Sequence, residues 1–277
     1  MKKSCLILSI LVLSVLSMNA GTPLVLLHTN DTHSQLEPYK SDDKYNANMA
    51  GIVRRAALIQ EVRSKEPNVL YVDAGDFVQG TPYFNLFHGE AEMRLMNKVG
   101  LDAITLGNHE FDNGILFLSK MLKKARFKVV SSNYDVSATP LKKYVRPWLI
   151  VKKGKLRIGI VSANISPDGL ISPANFSGVK YLDPYETAEA KAAWLKSVKK
   201  CNMVICLSHL GLDNKGEAPD DIRLAEKTKS IDVIIGGHTH TFMRNPAKKV
   251  NAVGDTVIIN QVGKGGIYVG RMDLDVE

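Results

Sequence analysis

Five short apolar runs in this 277-residue chain each end on a polar residue of one restricted kind. "LVLLH" runs into "TNDTH", "VLYVD" into "AGD" and "AITLG" into "NHEFD"; "MVICLS" ends at His209, and "VIIG" runs into "GHTH". The runs are apolar on both alternating faces, as strands buried between covering layers are. Segments of helical spacing lie between them. In "NMAGIVRRAALIQEVRSKE" (48–66) the apolar positions are 49, 52, 53, 56 and 59, which predicts an amphipathic helix. "EAEMRLMNKVG", "GILFLSKMLKKA", "PYETAEAKAAWLKSVKK" and "PDDIRLAEKT" read as further helices. "DAITLG", "FKVVSSN", "LRIGIVSAN", "TVIINQ" and "GIYVGRMDLDV" read as strands. This alternation predicts an α/β domain, with more strands than one compact sheet needs and hence two sheets. No Pro/Gly/Ser-rich linker and no internal repeat divides it.

Composition narrows the class. Hydrophobic residues make up 45% and charged residues 23%, which excludes disorder, collagen and coiled coil. The first twenty residues stand apart: "MKK", then the apolar "CLILSILVLSVLSM", then "MNA" before Gly21. That pattern predicts a signal peptide over 1–20, cleaved near Ala20, and an exported protein of the periplasm or extracellular space. The alternative is an uncleaved anchor, for which the apolar stretch is short. The domain then spans 21–277, and the net charge falls from +8 to +6 once Lys2 and Lys3 leave. Clusters such as "MLKKARFK" read as solvated helix ends. No nucleic-acid-binding motif accompanies them, although a mild positive field favours anionic substrates. Cys201 and Cys206 share one strand, about 16 Å apart and on opposite faces. They cannot pair, so buried free thiols are expected.

The strand ends carry the chemistry. Ligand sites in α/β folds lie beyond the carboxyl ends of strands. Of seven histidines, His33, His109, His209, His238 and His240 sit at these ends, mixed with Asp31, Asp76, Asn108 and Asp112. His28 and His88 do not, and read as packed and surface residues. One strand-end histidine would mean little; five at such ends exceed what packing requires. Asp, Asn and His without cysteine suit divalent Zn, Mn, Fe or Co. A structural zinc would use four ligands. Seven candidates predict two metals about 3.5–4 Å apart, bridged by a carboxylate.

In order, "HTNDTH", "DAGDFVQG", "GNHEFDNG", "SHLG" and "GGHTH" resemble the motifs of the calcineurin-like metallophosphoesterases. More narrowly they resemble the catalytic domain of the secreted bacterial 5′-nucleotidase, UDP-sugar hydrolase and 2′,3′-cyclic phosphodiesterase family. The resemblance covers essentially all of the chain after residue 20. It implies a four-layer α/β/β/α sandwich of two mixed sheets. It implies that Asp31, His33 and His240 hold one metal, that Asn108, His209 and His238 hold the other, and that Asp76 bridges them. It implies that His109 is no ligand but faces the phosphate, stabilising charge or protonating the leaving oxygen, with Asp112 orienting its ring. Glu110 reads as structural. The implied reaction is hydrolysis of a phosphate ester by hydroxide that the two metals supply, attacking in line without a covalent intermediate.

The chain departs from that family in one respect. The sequence runs to "GRMDLDVE", where the resemblance implies that the metal domain ends, so the family's second domain, which grips the nucleobase, is expected to be absent. A nucleotide is the expected substrate. The alternatives are broader phosphodiesterase or UDP-sugar hydrolase activity, a separate chain supplying the missing half, or a surface-binding protein that keeps the fold without turnover. Complete ligand positions count against the last. Tyr83, Phe84 and Phe87 line a cleft or cap the following helix.

Overall fold

A computed structural model describes residues 21–216 and 218–277. The expected signal peptide lies outside the described residues. In chain order the strands are β1 (Thr22–Thr29), β2 (Val69–Asp73), β3 (Ala103–Ile104), β4 (Lys128–Val130), β5 (Tyr134–Asp135), β6 (Val145–Arg146) and β7 (Leu149–Lys153). They continue with β8 (Leu156–Asn164), β9 (Lys180–Tyr181), β10 (Met203–His209), β11 (Val233–Ile235), β12 (Ala247–Val250), β13 (Thr256–Asn260) and β14 (Gly270–Val276). The α-helices are α1 (Ile52–Lys65), α2 (Pro82–Phe87), α3 (Glu90–Val99), α4 (Ile115–Leu122), α5 (Pro184–Ser197) and α6 (Asp221–Lys227).

Two six-stranded sheets carry the fold, in the orders β14-β1-β2-β3-β4-β6 and β12-β13-β11-β10-β8-β7. Both are mixed. In the first, only β14 runs antiparallel to its neighbour; in the second, β12 and β7 do so at the two edges. Alternation along β1 shows how the layers form. Leu24 and Leu26 join Leu70, Ile158, Ile160, Ile205 and Leu207 in a core between the sheets. Val25 and Leu27 point the other way, onto Ile52, Ile59 and Val62 of α1. On the far face of the second sheet, Val161, Val204 and Ile234 pack on Ala188, Ala192 and Leu195 of α5. Helix, sheet, sheet and helix thus stack in four layers, as the resemblance implied. Each fully buried Leu or Ile contributes roughly 1.5–3 kcal/mol.

Local signals start and stop the helices. Asp183 caps α5 by accepting hydrogen bonds from the Tyr185 and Glu186 N–H groups, with Pro184 at the first turn. Gly100, at φ 85°, ends α3. The helix expected over 48–66 begins only at Ile52, because Asn48, Ala50 and Gly51 turn the chain through positive φ. "DAITLG" pairs over Ala103–Ile104 alone, since the chain bends into the site straight afterwards. Strand β14 starts at Gly270 rather than Gly266, after a loop in which Gly263, Gly265 and Gly266 all have positive φ.

Edge strands β6, β7 and β12 carry no periodic apolar signal, because one side of each faces no neighbour and lysines or arginine lie along them. Helix α2 was likewise unforeseen. Its Phe84 packs on the core beneath α3 and α4, Tyr83 on the core beneath α1, and Phe87 is exposed. Of the three aromatic residues, Tyr83 alone lines a cavity of about 450 Å³, with Ser34, Tyr39 and Thr81. Cys201 and Cys206 are buried and unbonded, as expected. His28 is fully buried beside Gly270, and His88 is exposed at the end of α2.

Candidate metal centre

Strands β1, β2 and β3 are adjacent in one sheet, and β10 and β11 in the other. The two sheets therefore present the carboxyl ends of all five motif-bearing strands to one region. Two groups of possible ligands form there: Asp31 with His33 and His240, and Asp76 with His209 and His238. Within each group the donor atoms lie within 4.8 Å of one another. In the first, His33 Nε2 and His240 Nε2 are 2.9 Å apart, and Asp31 Oδ1 is 3.4 Å from His240 Nε2. In the second, His209 Nε2 is 3.0 Å from Asp76 Oδ2, and Asn108 Oδ1 is 3.2 Å from His238 Nδ1. The groups are contiguous, since His209 Nε2 is also 3.9 Å from Asp31 Oδ1. The seven residues expected as ligands are thus brought together.

The donor set fits divalent cations on three observations. His209 Nδ1 donates to the Ala74 carbonyl at 2.7 Å, which turns the buried Nε2 into the centre, 3.0 Å from Asp76 Oδ2. His33 and His240 turn their Nε2 atoms on each other at 2.9 Å, a contact that one N–H···N hydrogen bond satisfies, and Asp31 Oδ1 approaches the same point. Burial opposes charge on His209, yet Asp76, then Asp31, pull its pKa up to about 10, so these carboxylates demand positive charge at that point. The same balance holds Asp76 well below the usual carboxylate range despite burial, chiefly through His209. Burial, then the neighbouring His209, lowers His238 to about 4, which makes it a neutral donor at pH 7.

Strained backbone supplies the aim. Asp31, His33, Asp76, His238 and His240 all adopt positive φ, between 45° and 74°. For residues with a Cβ this region is unfavourable and persists only where the surroundings enforce it. Cross-linking hydrogen bonds do so. The His238 N–H donates to Asp31 Oδ1 and Oδ2, and the His109 N–H to Asp76 Oδ1 at 2.9 Å. Each carboxylate thereby holds the loop that carries another ligand. Asn30 adds to this by donating to Asp31 Oδ2 and the Gly263 carbonyl and accepting from the Val262 N–H. A Cβ on Gly107 would fall on Asp76 Oδ1 and come within 2.7 Å of His209 Cε1. The glycine before Asn108 is what lets the two sheets close on the centre.

His109 and Asp112 stand together at the rim. His109 Nδ1 lies 2.9 Å from Asp112 Oδ2, and both side chains are about one-third exposed. The hydrogen bond that His109 donates to Asp112 raises its pKa against the opposing effect of burial. The ring keeps its other nitrogen free and sits 5.4 Å from that of His33. Glu110, read from sequence as structural, is a buried clamp. Its oxygens accept from the Phe77, Asp76 and Gly107 N–H groups. Burial, then Asp76, pushes its pKa up to about 8. The ligands' left-handed backbone and the role of Asn30 are not legible in the sequence, apart from "ND" at the end of β1, since Asn and Asp favour such turns.

Similarity to known proteins agrees with this geometry. Residues 24–242 match the family model described as calcineurin-like phosphoesterase. The chain is 36% identical over 239 residues to a snake venom 5′-nucleotidase of Crotalus adamanteus, covering 83% of this chain and 39% of that protein. It is 33% identical over 275 residues to a Homo sapiens 5′-nucleotidase, covering 92% and 46%. Among solved structures, a 5′-nucleotidase precursor from Thermus thermophilus superposes with a TM-score of 0.80 at 35% identity, covering 92% of this chain and 54% of that one. A Haemophilus influenzae NAD nucleotidase superposes at 0.81 with 30% identity, covering 92% and 47%. The chain spans less than half the length of the two curated relatives named here. No helix among the described residues is long and apolar enough to cross a membrane.

Proposed function

The chain belongs to the calcineurin-like phosphoesterase family, and from that premise we propose that it is a metal-dependent hydrolase of phosphate esters, with nucleotides as substrates. One observation carries the reading: the six carboxylate and imidazole donors of the two groups, with Asn108, converge at the ends of five strands from two sheets. Asp31, His33 and His240 would hold one divalent ion and Asn108, His209 and His238 a second, with Asp76 between them; Zn, Mn, Fe and Co all suit this set. Such ions acidify water and neutralise phosphoryl charge.

The remaining steps belong to the chain's own groups. With Nδ1 engaged by Asp112, protonated His109 has its Nε2–H available as a donor. From the rim it donates to a phosphoryl oxygen and, as water oxygen bonds to phosphorus and the ester P–O bond breaks, passes its proton to the leaving oxygen; the proton that the water sheds goes to solvent, from which the ring is reprotonated. Asp112 holds the ring's orientation throughout. Buried Asp31 and Asp76 keep the centre anionic, and their grip on neighbouring loop amides prevents the ligands from relaxing away.

Support for a nucleotide comes from the named activities of the relatives and from the rim itself. Phe242, two residues beyond His240, stacks on Tyr268 with ring centroids 4.2 Å apart and planes 24° apart. The pair is 47% and 41% exposed, an apolar face suited to a flat leaving group. It would equally present a contact to a separate chain supplying a second half. The leader-like segment 1–20 supports export to the periplasm or beyond.

The test is hydrolysis of AMP, UDP-glucose, 2′,3′-cyclic AMP and p-nitrophenyl phosphate with added Mn or Zn, before and after chelation, with and without any co-purifying chain. AMP turnover abolished by chelation and restored by metal is the expected result. Bound metal without turnover of any ester would sink the hydrolase reading and leave a binding role.

A further inference from the structure

Buried polar side chains concentrate at one place outside the ligand set, where the carboxyl end of β8 meets the first sheet. Asn164, the last residue of β8, is fully buried, and both ends of its amide are engaged. Oδ1 accepts from Ser131 Oγ at 2.8 Å and Ser162 Oγ at 3.1 Å. Nδ2 donates to Thr105 Oγ1 at 2.9 Å and to the Leu106 carbonyl. Its backbone N–H and carbonyl both pair with the Asn133 side chain at 2.8 Å. Ser132 and Ser162 exchange further bonds, each backbone N–H donating to the other's hydroxyl. Ser131, Ser132, Asn133 and Thr105 follow strands of the first sheet, whereas Ser162 and Asn164 belong to the second. The belt therefore joins the sheets by side chains where the apolar core ends.

Its placement relates it to the centre. Asn164 lies beside His209 in the parallel register of β8 and β10. Through Thr105 and Leu106 it holds the two residues that lead into Gly107, Asn108 and His109. The second group draws Asp76 and Asn108 from one sheet and His209 and His238 from the other, so its geometry depends on how the sheet ends are set against each other. An apolar core permits small sliding, because dispersion and burial are non-directional. A saturated amide does not.

We propose that Asn164 is a positioning residue that sets the Asn108–His109 loop against His209. The proposal rests on the two-metal hydrolase reading and adds to it a residue that touches neither metal nor substrate. Replacing Asn164 by Ala removes all four bonds of its amide, although Thr105 Oγ1 still donates to the Val130 carbonyl and Ser162 Oγ still accepts from the Ser132 N–H; Asn164→Ser keeps one hydroxyl in place of the amide. Ser131→Ala removes one bond to the same Oδ1 on the side away from the loop, and serves as the control for lost stability alone.

Mn binding is measured by calorimetry on the full chain, with thermal unfolding and kinetics on p-nitrophenyl phosphate at saturating Mn. Asn164→Ala is expected to weaken the second Mn by about 10–100-fold, the usual effect of losing a ligand's support. It is also expected to lower kcat at least about tenfold with KM unchanged, while Ser131→Ala lowers the melting temperature without either change. Should Asn164→Ala not fold, Asn164→Ser shows the same pattern at smaller amplitude. Wild-type Mn affinity and kcat in Asn164→Ser, or losses in Ser131→Ala that match those of the Asn164 variants, would overturn the proposal. Calorimetry needs no substrate, so wild-type protein that binds Mn but hydrolyses nothing sinks the hydrolase reading while the role of Asn164 is still decided.

Discussion

His109 and Asp76 are both polar residues that follow apolar strands, yet their surroundings assign them opposite work. His109 is partly exposed, paired with Asp112 and shifted toward its protonated form. Asp76 is buried among imidazoles and held ionised. His109→Ala should therefore retain both metals by elemental analysis and lose about 10²–10⁴ in kcat, the usual share of a general acid. Asp112→Asn, which leaves the ring without its anionic partner, should lose less. Asp76→Asn should lower metal occupancy itself, because the amide brings one neutral acceptor where an anion stood; unchanged metal content in that variant would refute a bridging role.

At the scale of elements, short loops leaving rigid strands are held by carboxylates that accept backbone N–H groups. Glu110, in the loop after β3, accepts two such bonds from the loop after β2 and a third from Gly107 in its own loop. Glu110→Gln offers one acceptor oxygen in place of two and turns an NH₂ group toward backbone donors. It is expected to destabilise the protein by about 1–3 kcal/mol, read from denaturant unfolding, and to weaken metal binding about tenfold or more. Equal stability in the two proteins would show that the carboxylate carries no such load. Elements of this kind were legible only as patterns. The alternation of apolar runs and amphipathic segments located the central strands β1, β2, β8, β10 and β11, because burial on both faces leaves a continuous signal. Edge strands β7 and β12 and helix α2 left none.

Over the whole molecule, a histidine buried away from the chemistry gives stability a pH dependence. Burial lowers the His28 pKa from 6.5 to about 3, and neither ring nitrogen finds a hydrogen-bond partner. Between those values the unfolded chain takes up a proton that the folded chain refuses. His28 therefore costs no stability above pH 6.5, and stability falls by about 1.4 kcal/mol per unit as the pH drops toward 3. Asp73 and Asp221, pushed up by burial to about 6 and about 7, titrate in the opposite sense over part of that window. The comparison of wild type with His28→Leu isolates the histidine. The stability difference should move in favour of the variant as pH falls from about 6.5 to about 4.5 in urea titrations; a constant difference would show that His28 charges freely in the folded state.

The one-dimensional pattern determined the class of fold and located the candidate donors. Runs of Val, Ile and Leu must be buried on both faces, and Asp, Asn and His repeated at their ends have few uses besides holding cations. Both conclusions follow from side-chain character and spacing, which a chain carries before it folds. Only the tertiary structure decided which donors lie in one group, how Asp31, His33, Asp76, His238 and His240 are forced into left-handed backbone, and which loop groups Asn164 and Glu110 engage. Those outcomes depend on contacts between residues as far apart as Asp31 and His238. Spacing along the chain does not encode the angle at which two sheets meet, and that angle brings the ligands together.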